Sequence, residues 1–392
     1  SAESVIDRVD EIIDLDGAIV TPGFVDTHID LLATGLAMSH SPDEPLDDQV
    51  RASACRRALR HAAAHGIVAV HDMAHPSHDT LERLHASMEA TEDPTSGFPQ
   101  VIGYWGGLCD DEAAEAAVEQ VPRLAGLWAA VDGSFADHTA WLHDPYPAAD
   151  GHGLLTAAQV CAHVVAATRA GVQASVWAAG DAALDEVLDG MFQAAQILGT
   201  AAVAGARHRV EHLGLAGTDA LAQMAKLAMT ASVQPSCEAA WGEVARAHLG
   251  DQVASLFPVA DLARAGIPTG FGSASPLAPL DPWIGVRAGL FHHDPDQRVS
   301  ARSAFRSATR GGWRLSGGDW TGAGELRVGA PAHLAVWRAD DLVVQSPDGA
   351  VNAWSTDARA GTPMLPSLAP GATPPVCLRT VRSGITLYDT FE

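Results

Sequence analysis

Pro22-Gly23-Phe24-Val25-Asp26-Thr27-His28-Ile29-Asp30 is the stretch on which the reading of this chain turns. An apolar pair follows a Pro-Gly turn, and on a strand, where successive side chains alternate between faces, His28 and Asp30 at i and i+2 point the same way. An imidazole and a carboxylate so placed can share a ligand or a proton. Comparable apolar runs follow at 67–70, 101–105, 127–131, 172–177, 208–213, 231–234 and 269–272. Between them lie Ala-rich stretches of helical period, among them 51–65, 156–170, 183–198 and 300–314. Strand alternating with helix is the rhythm of a parallel sheet, and eight repeats predict an α/β chain closed into a (β/α)8 barrel over 22–321. Active sites of such barrels lie at the C-terminal ends of the strands.

A chain of 392 residues has room for one such barrel, typically about 250 residues, and a smaller domain. The flanks 1–21 and 322–392, rich in Val, Leu, Pro, Gly and Asp, predict one small β domain built from both ends, with turn then strand over 325–336. Lys+Arg 24 against Asp+Glu 48 gives a net charge of -24. That balance argues against nucleic acid and anionic membrane as partners, since both need a basic surface. A small molecule is the partner expected, with a homodimer as the assembly considered. The five cysteines (Cys55, Cys109, Cys161, Cys237 and Cys377) are odd in number and form no C-x-x-C pair, so neither a disulfide framework nor a cysteine zinc site is indicated. With no charged-then-apolar leader and no apolar run near the ~18 residues of a membrane span, the expectation is a soluble, cytoplasmic protein.

The 22–30 stretch resembles the P-G-F-V/I-D-x-H-x-H strand of the amidohydrolase superfamily, in which two histidines grip a divalent metal; Asp30 stands where the second belongs. Further blocks resemble the YtcJ-like (amidohydrolase 3) branch in order along the chain. Gly66 to Met73 and Tyr104-Trp105-Gly106 look like its second and third barrel strands, and Val131-Asp132-Gly133-Ser134 is similar to its K-x-x-x-D-G-S block. Trp177-Ala178-Ala179-Gly180-Asp181 is similar to H-A-x-G-D, Arg207-His208-Arg209-Val210-Glu211-His212 to R-H-R-I/V-E-H, and Phe271-Gly272-Ser273-Ala274-Ser275-Pro276 to F-G-S-D-S-P. The resemblance, from Ile19 to the C-terminus, implies a TIM-like barrel with a small β-sandwich domain formed by both chain ends. It also implies that several tens of residues precede the position of Ser1 in relatives.

For the metal site the resemblance implies degeneracy. Trp128 stands in the slot of a bridging carbamylated lysine, Trp177 in that of a ligand histidine, and Ala274 in that of the aspartate that binds metal and handles the proton of the attacking water; His212 is kept. The residues themselves point the same way for the lysine. Lys226 is the only lysine, and it falls in a stretch of helical period, 219–230, rather than on a barrel strand.

What remains is His28, Asp30 and His212, expected at one barrel mouth as the catalytic set. Three such groups are also the minimum protein set for a catalytic zinc, so one zinc at His28, Asp30 and His212 stays as the alternative to no cofactor. Trp105, Trp128, Asp132, Trp177, Cys237 and Ser273 are the expected substrate-binding residues, the two indoles at 128 and 177 offering flat faces to an aromatic ligand. The His71-Asp72-Met73-Ala74-His75-Pro76-Ser77-His78 tract reads as a loop after the second strand, and Cys237 as a thiol within reach of the mouth. The leading functional expectation is a metal-independent enzyme doing acid/base chemistry (dehydration, cyclisation or isomerisation) on a small aromatic substrate, in secondary metabolism. The alternatives are a residual one-metal hydrolase acting on C–N bonds, amidase- or deformylase-like, and a non-catalytic binding protein.

Overall fold

The computed structural model describes residues 12–39, 46–144, 151–237, 256–343, 345 and 364–391. Of the predicted end domain, 1–11, 344, 346–363 and 392 lie outside the described residues.

Eight parallel strands follow one another around the barrel in sequence order: β2 (Phe24–Ile29), β3 (Ile67–Ala74), β4 (Gln100–Gly106), β5 (Gly126–Ala130), β6 (Gln173–Ala178), β7 (Arg209–His212), β8 (Thr230–Val233) and β9 (Thr269–Phe271). The ring closes between its last and first strands, where Ala274 N–H donates to His28 O at 2.8 Å and Asp30 N–H to Ser275 O at 3.1 Å. This approach requires Gly272, since a Cβ there would sit 2.6 Å from the His28 backbone nitrogen. The strands are buried on both sides, so they read as continuous apolar runs. Inward side chains such as Val25, Met73, Ile102 and Tyr104 fill the barrel, and Trp313 plugs its N-terminal end.

Helices cover the outside where the sequence period places them. The helix Asp48–Ala64 starts at Asp47, whose side chain accepts from Val50 N–H, and buries Ala54, Cys55, Ala58, Leu59, Ala62 and Ala63. The helix Ala157–Arg169 opens with a reciprocal Thr156/Gln159 capping box. The stretch 300–314, predicted as one helix, is two: Ala301–Ala308 and Arg310–Leu315, broken at Thr309 (φ -122, ψ -88). Lys226 ends the helix Thr218–Lys226 and is exposed, away from the barrel interior.

Strands from the two ends make a separate antiparallel sheet in the order β1 (Ile19–Pro22), β10 (Leu334–Arg338), β13 (Val376–Arg382), β14 (Ile385–Asp389), with a two-stranded ribbon of β11 (Leu342–Val343) and β12 (Leu365–Pro366). Trp337 fastens this sheet to the barrel: its indole N–H donates to Thr21 Oγ1 at 2.9 Å, and its ring meets those of Phe24 and Trp283 edge-on at 5.7 and 5.3 Å. Arg382 of β13, buried, donates to the carbonyls of Thr91 and Glu92 at the C-terminal end of the helix Leu81–Glu92 and to that of Phe98 just before β4. Among the described residues no helix is long and apolar enough to cross a membrane.

Candidate active site

At the C-terminal ends of the strands a cavity of about 500 Å³ opens, in the size range of small-molecule sites. Trp128 and Trp177 face it from β5 and β6, with His28, Asp30, Met73, His75, His78 and Asp132 around them. The Trp128 indole N–H donates to Ala74 O at 2.9 Å and that of Trp177 to Gly133 O at 2.8 Å, so both rings are fixed by their only polar atom and leave apolar area to a ligand. Gly106 makes room for this wall: a Cβ there would lie 2.6 Å from His75 Cδ2 and 2.8 Å from Trp128 Nε1.

Beneath the indoles a chain of buried charges runs across the barrel. Arg209 and Glu211, two apart on β7, point inward together and pair. Arg209 also donates to Thr27 O at 2.7 Å, bonds His71 Nδ1 at 2.8 Å, and lies with its guanidinium carbon 4.5 Å from the centre of the Tyr104 ring. Burial alone would raise the Glu211 carboxyl, but Arg209 and His28 beside it hold it well below the ordinary carboxylate range. Its other oxygen meets His28 Nδ1 at 2.7 Å. A charged carboxylate only accepts, so His28 carries its proton on Nδ1 and presents Nε2 as the nitrogen left for a ligand.

Asp30 is not the partner of either predicted catalytic histidine. Its Oδ2 accepts from His78 Nε2 at 2.6 Å and its Oδ1 from the backbone N–H of Ala33 at 2.8 Å. His78 Nδ1 meets Ser77 Oγ at 2.9 Å, and the same hydroxyl meets His75 Nδ1 at 2.8 Å. The tract taken as a loop is thus divided: His71 and Asp72 are buried in β3, while His75 and His78 line the cavity. The hydrogen bond to Asp30 raises the His78 pKa against the opposing effect of partial burial, whereas burial and the neighbouring His78 lower that of His75.

His212, predicted at the mouth, is instead completely buried. The backbone turns sharply after β7, with His212 and Leu213 both in the left-handed region (φ 69 and 47), and the imidazole bonds Gln234 Oε1 through Nδ1 at 2.9 Å. Trp177 stacks over it at 4.3 Å with 15° between the planes, separating it from the cavity. Burial pushes its pKa down to about 3.

Three of the expected substrate-binding residues do not line the cavity either. On β4 the inward side chain is Tyr104, so by alternation Trp105 packs outward against the helix layer. Cys237 is fully buried beside Ser273 O, and burial pushes its thiol up to about 12, which removes the thiolate that a nucleophile needs. Ser273 is occupied with Asp26 and with the N–H of Ser275. Asp132 does reach the cavity edge, but its carboxylate accepts from the N–H groups of Ala179, Gly180 and Trp141 at 2.8 to 2.9 Å, clamping the loops after β5 and β6; burial raises its pKa to about 7 despite these bonds.

A divalent ion, which the sequence resemblance implies, does not fit this donor set. Among the described residues no three His, Cys, Asp or Glu side chains converge so as to hold one. His28 is turned to Glu211, Asp30 to His78, and His212 lies under an indole.

The family model described as the amidohydrolase family matches residues 45–388. An N-substituted formamide deformylase of Arthrobacter pascens is 26% identical over 210 residues, 51% of this chain; the matched part spans only 38% of that protein. Among solved structures, an uncharacterized metal-dependent hydrolase from Pyrococcus furiosus superposes with TM-score 0.70 at 19% identity, covering 88% of this chain and 91% of that one. Its counterpart from Pyrococcus horikoshii gives 0.67 at 20%, covering 90% and 91%. A Xaa-Pro dipeptidase with bound methionine gives 0.64 at 16%, covering 98% and 90%. At these identities the likeness is one of fold.

Proposed function

We propose, from the premise that this chain belongs to the amidohydrolase family, that it is an enzyme of hydrolase-like architecture working by proton transfer on a small aromatic substrate held against Trp128 and Trp177. The observation that carries this is the His28–Glu211 pair at 2.7 Å on the cavity wall. Glu211 fixes the imidazole tautomer and stabilises the imidazolium that forms when Nε2 takes a proton, the orienting role a buried carboxylate plays for a general base. The His28 imidazolium then gives that proton back from Nε2, while His78, held by Asp30 at Nε2 and by Ser77 at Nδ1, closes the β3 side of the same cavity. Activation of water for cleavage of a C–N bond, dehydration, cyclisation and isomerisation all begin with this transfer. His212 supports the Trp177 ring from below and touches no substrate.

The test is His28→Gln against His212→Gln, assayed on small aromatic amides and on candidates for metal-free elimination or isomerisation. His28→Gln should lower turnover by the ~10²–10⁴ typical of a positioned base, and His212→Gln by less than about tenfold. Equal losses in both would return His212 to the reacting centre and defeat the assignment.

A second reading, a C–N hydrolase that uses one metal ion, is favoured by the deformylase relative for the bond cleaved and by the metal-dependent Pyrococcus hydrolases for the ion. Elemental analysis of protein purified from zinc-supplemented medium decides between the two. We expect less than stoichiometric metal and turnover unchanged by chelator; one ion per chain with activity lost to chelator would establish the second reading.

A further inference from the structure

At the N-terminal end of the barrel, opposite the cavity just described, a groove of about 520 Å³ is lined by Arg302, Arg306, Arg310 and Arg314 together with Ser303 and Ser307. No carboxylate is among the described residues that line it. The arginines recur every four residues because the two helices Ala301–Ala308 and Arg310–Leu315 present the same outer stripe, while Ala301, Ala304, Phe305, Ala308 and Trp313 face inward. Glu325 pairs with Arg310 at 2.7 Å. Arg302 and Arg314 have partners as well, whereas Arg306 is exposed and forms no ion pair among the described residues.

Like charges four apart on a helix oppose its formation. A row of them around one groove, on a chain of net charge -24, therefore calls for a reason. We infer that the groove binds a small phosphorylated anion carrying at least two negative charges. Guanidinium forks match phosphate oxygens two at a time, and the two serine hydroxyls add donors that a solvated basic face would not need. The size of the groove suits a small molecule. A long nucleic acid or an acidic protein would feel the repulsion of the whole acidic chain. A small anion inside the groove is shielded from most of it, because charges more than about 8 Å away are screened at physiological salt.

The experiment is calorimetric titration of the full chain with inorganic pyrophosphate at low and at physiological salt. One site per chain is expected, with affinity falling as salt rises. Arg306→Ala should weaken binding about tenfold, as expected for one charge-assisted contact, and Arg306→Glu should abolish it. Arg123→Ala, at an exposed arginine paired with Glu92 elsewhere on the surface, should change nothing. Since Arg306 is exposed, both variants should keep the wild-type melting temperature. Absence of pyrophosphate binding, or binding indifferent to Arg306→Glu, would overturn the inference. So would a salt-sensitive dimer that Arg306→Glu dissociates without any uptake of pyrophosphate, which would make the groove a contact for acidic residues of a second copy.

Discussion

Glu211 answers to two neighbours at once. It neutralises Arg209, which is wholly buried, and it sets the proton on His28. Replacing it by Gln keeps the volume but leaves a guanidinium in the barrel without its countercharge, a change that typically costs about 3–5 kcal/mol. Urea unfolding of Glu211→Gln should show a loss of that order, and a loss below about 1 kcal/mol would mean that the charge chain beneath the indoles contributes little. Glu211 sat in plain view in the 207–212 block, and the period of two that puts Arg209 and Glu211 on one face was enough to mark it as inward. That it meets His28, 183 positions earlier, follows only from closing the barrel. The same limit explains Asp30: strand parity gave its face correctly, but its partner His78 comes from the loop after β3, where no periodicity fixes a side chain. For His212 the place at the mouth came from the resemblance and not from parity, which sets it on the face opposite Glu211; the left-handed turn at its own backbone then lays it under Trp177.

The elements that carry a strong period were the legible ones. The eight strands and the helices at 48–64, 157–169 and 181–198 fall where the apolar runs and the helical spacing put them, within a few residues. The break at Thr309 was not visible, since the apolar spacing runs on through it. Glycines at the joints tell more than their sequence context suggested. Gly106 ends β4 with space on one side for His75 and Trp128. In Gly106→Ala the added methyl group should push the indole off its bond to Ala74 O, costing about 1–3 kcal/mol as overpacking does and loosening the ring on which a ligand would stack. Near-ultraviolet circular dichroism, which reports the setting of tryptophans, should change for this variant; an unaltered spectrum and unaltered stability would show that His75 and Trp128 give way freely.

Across the whole molecule, burial has set histidines and aspartates against each other. His163, His208 and His333 are lowered to about 4 and His212 to about 3, in each case chiefly by burial. Asp132 and Asp72 are raised by burial to about 7 and about 6. Between pH 6.5 and about 4 the unfolded chain takes up protons on these four histidines that the folded chain refuses, so their stabilisation is complete above pH 6.5 and fades as pH falls through this window. The two aspartates act in the opposite sense, being protonated in the folded chain but not in the unfolded one. His61, His71 and His75 are lowered as well, and Asp26, Asp281 and His78 raised; with seven groups against five, the melting temperature should drop from pH 7 to pH 5, and a rise on acidification would mean that the raised groups dominate. One further property of the molecule concerns its manufacture. Trp337 and Arg382 bind barrel elements laid down far earlier in the chain, Arg382 holding the carbonyls at the end of the helix Leu81–Glu92. During synthesis the eight strands are therefore complete while that helix end is still uncapped and Phe24 still lacks the Trp337 indole that covers it, so a ribosome paused before Leu334 should carry a nascent barrel open to proteases that the finished chain resists.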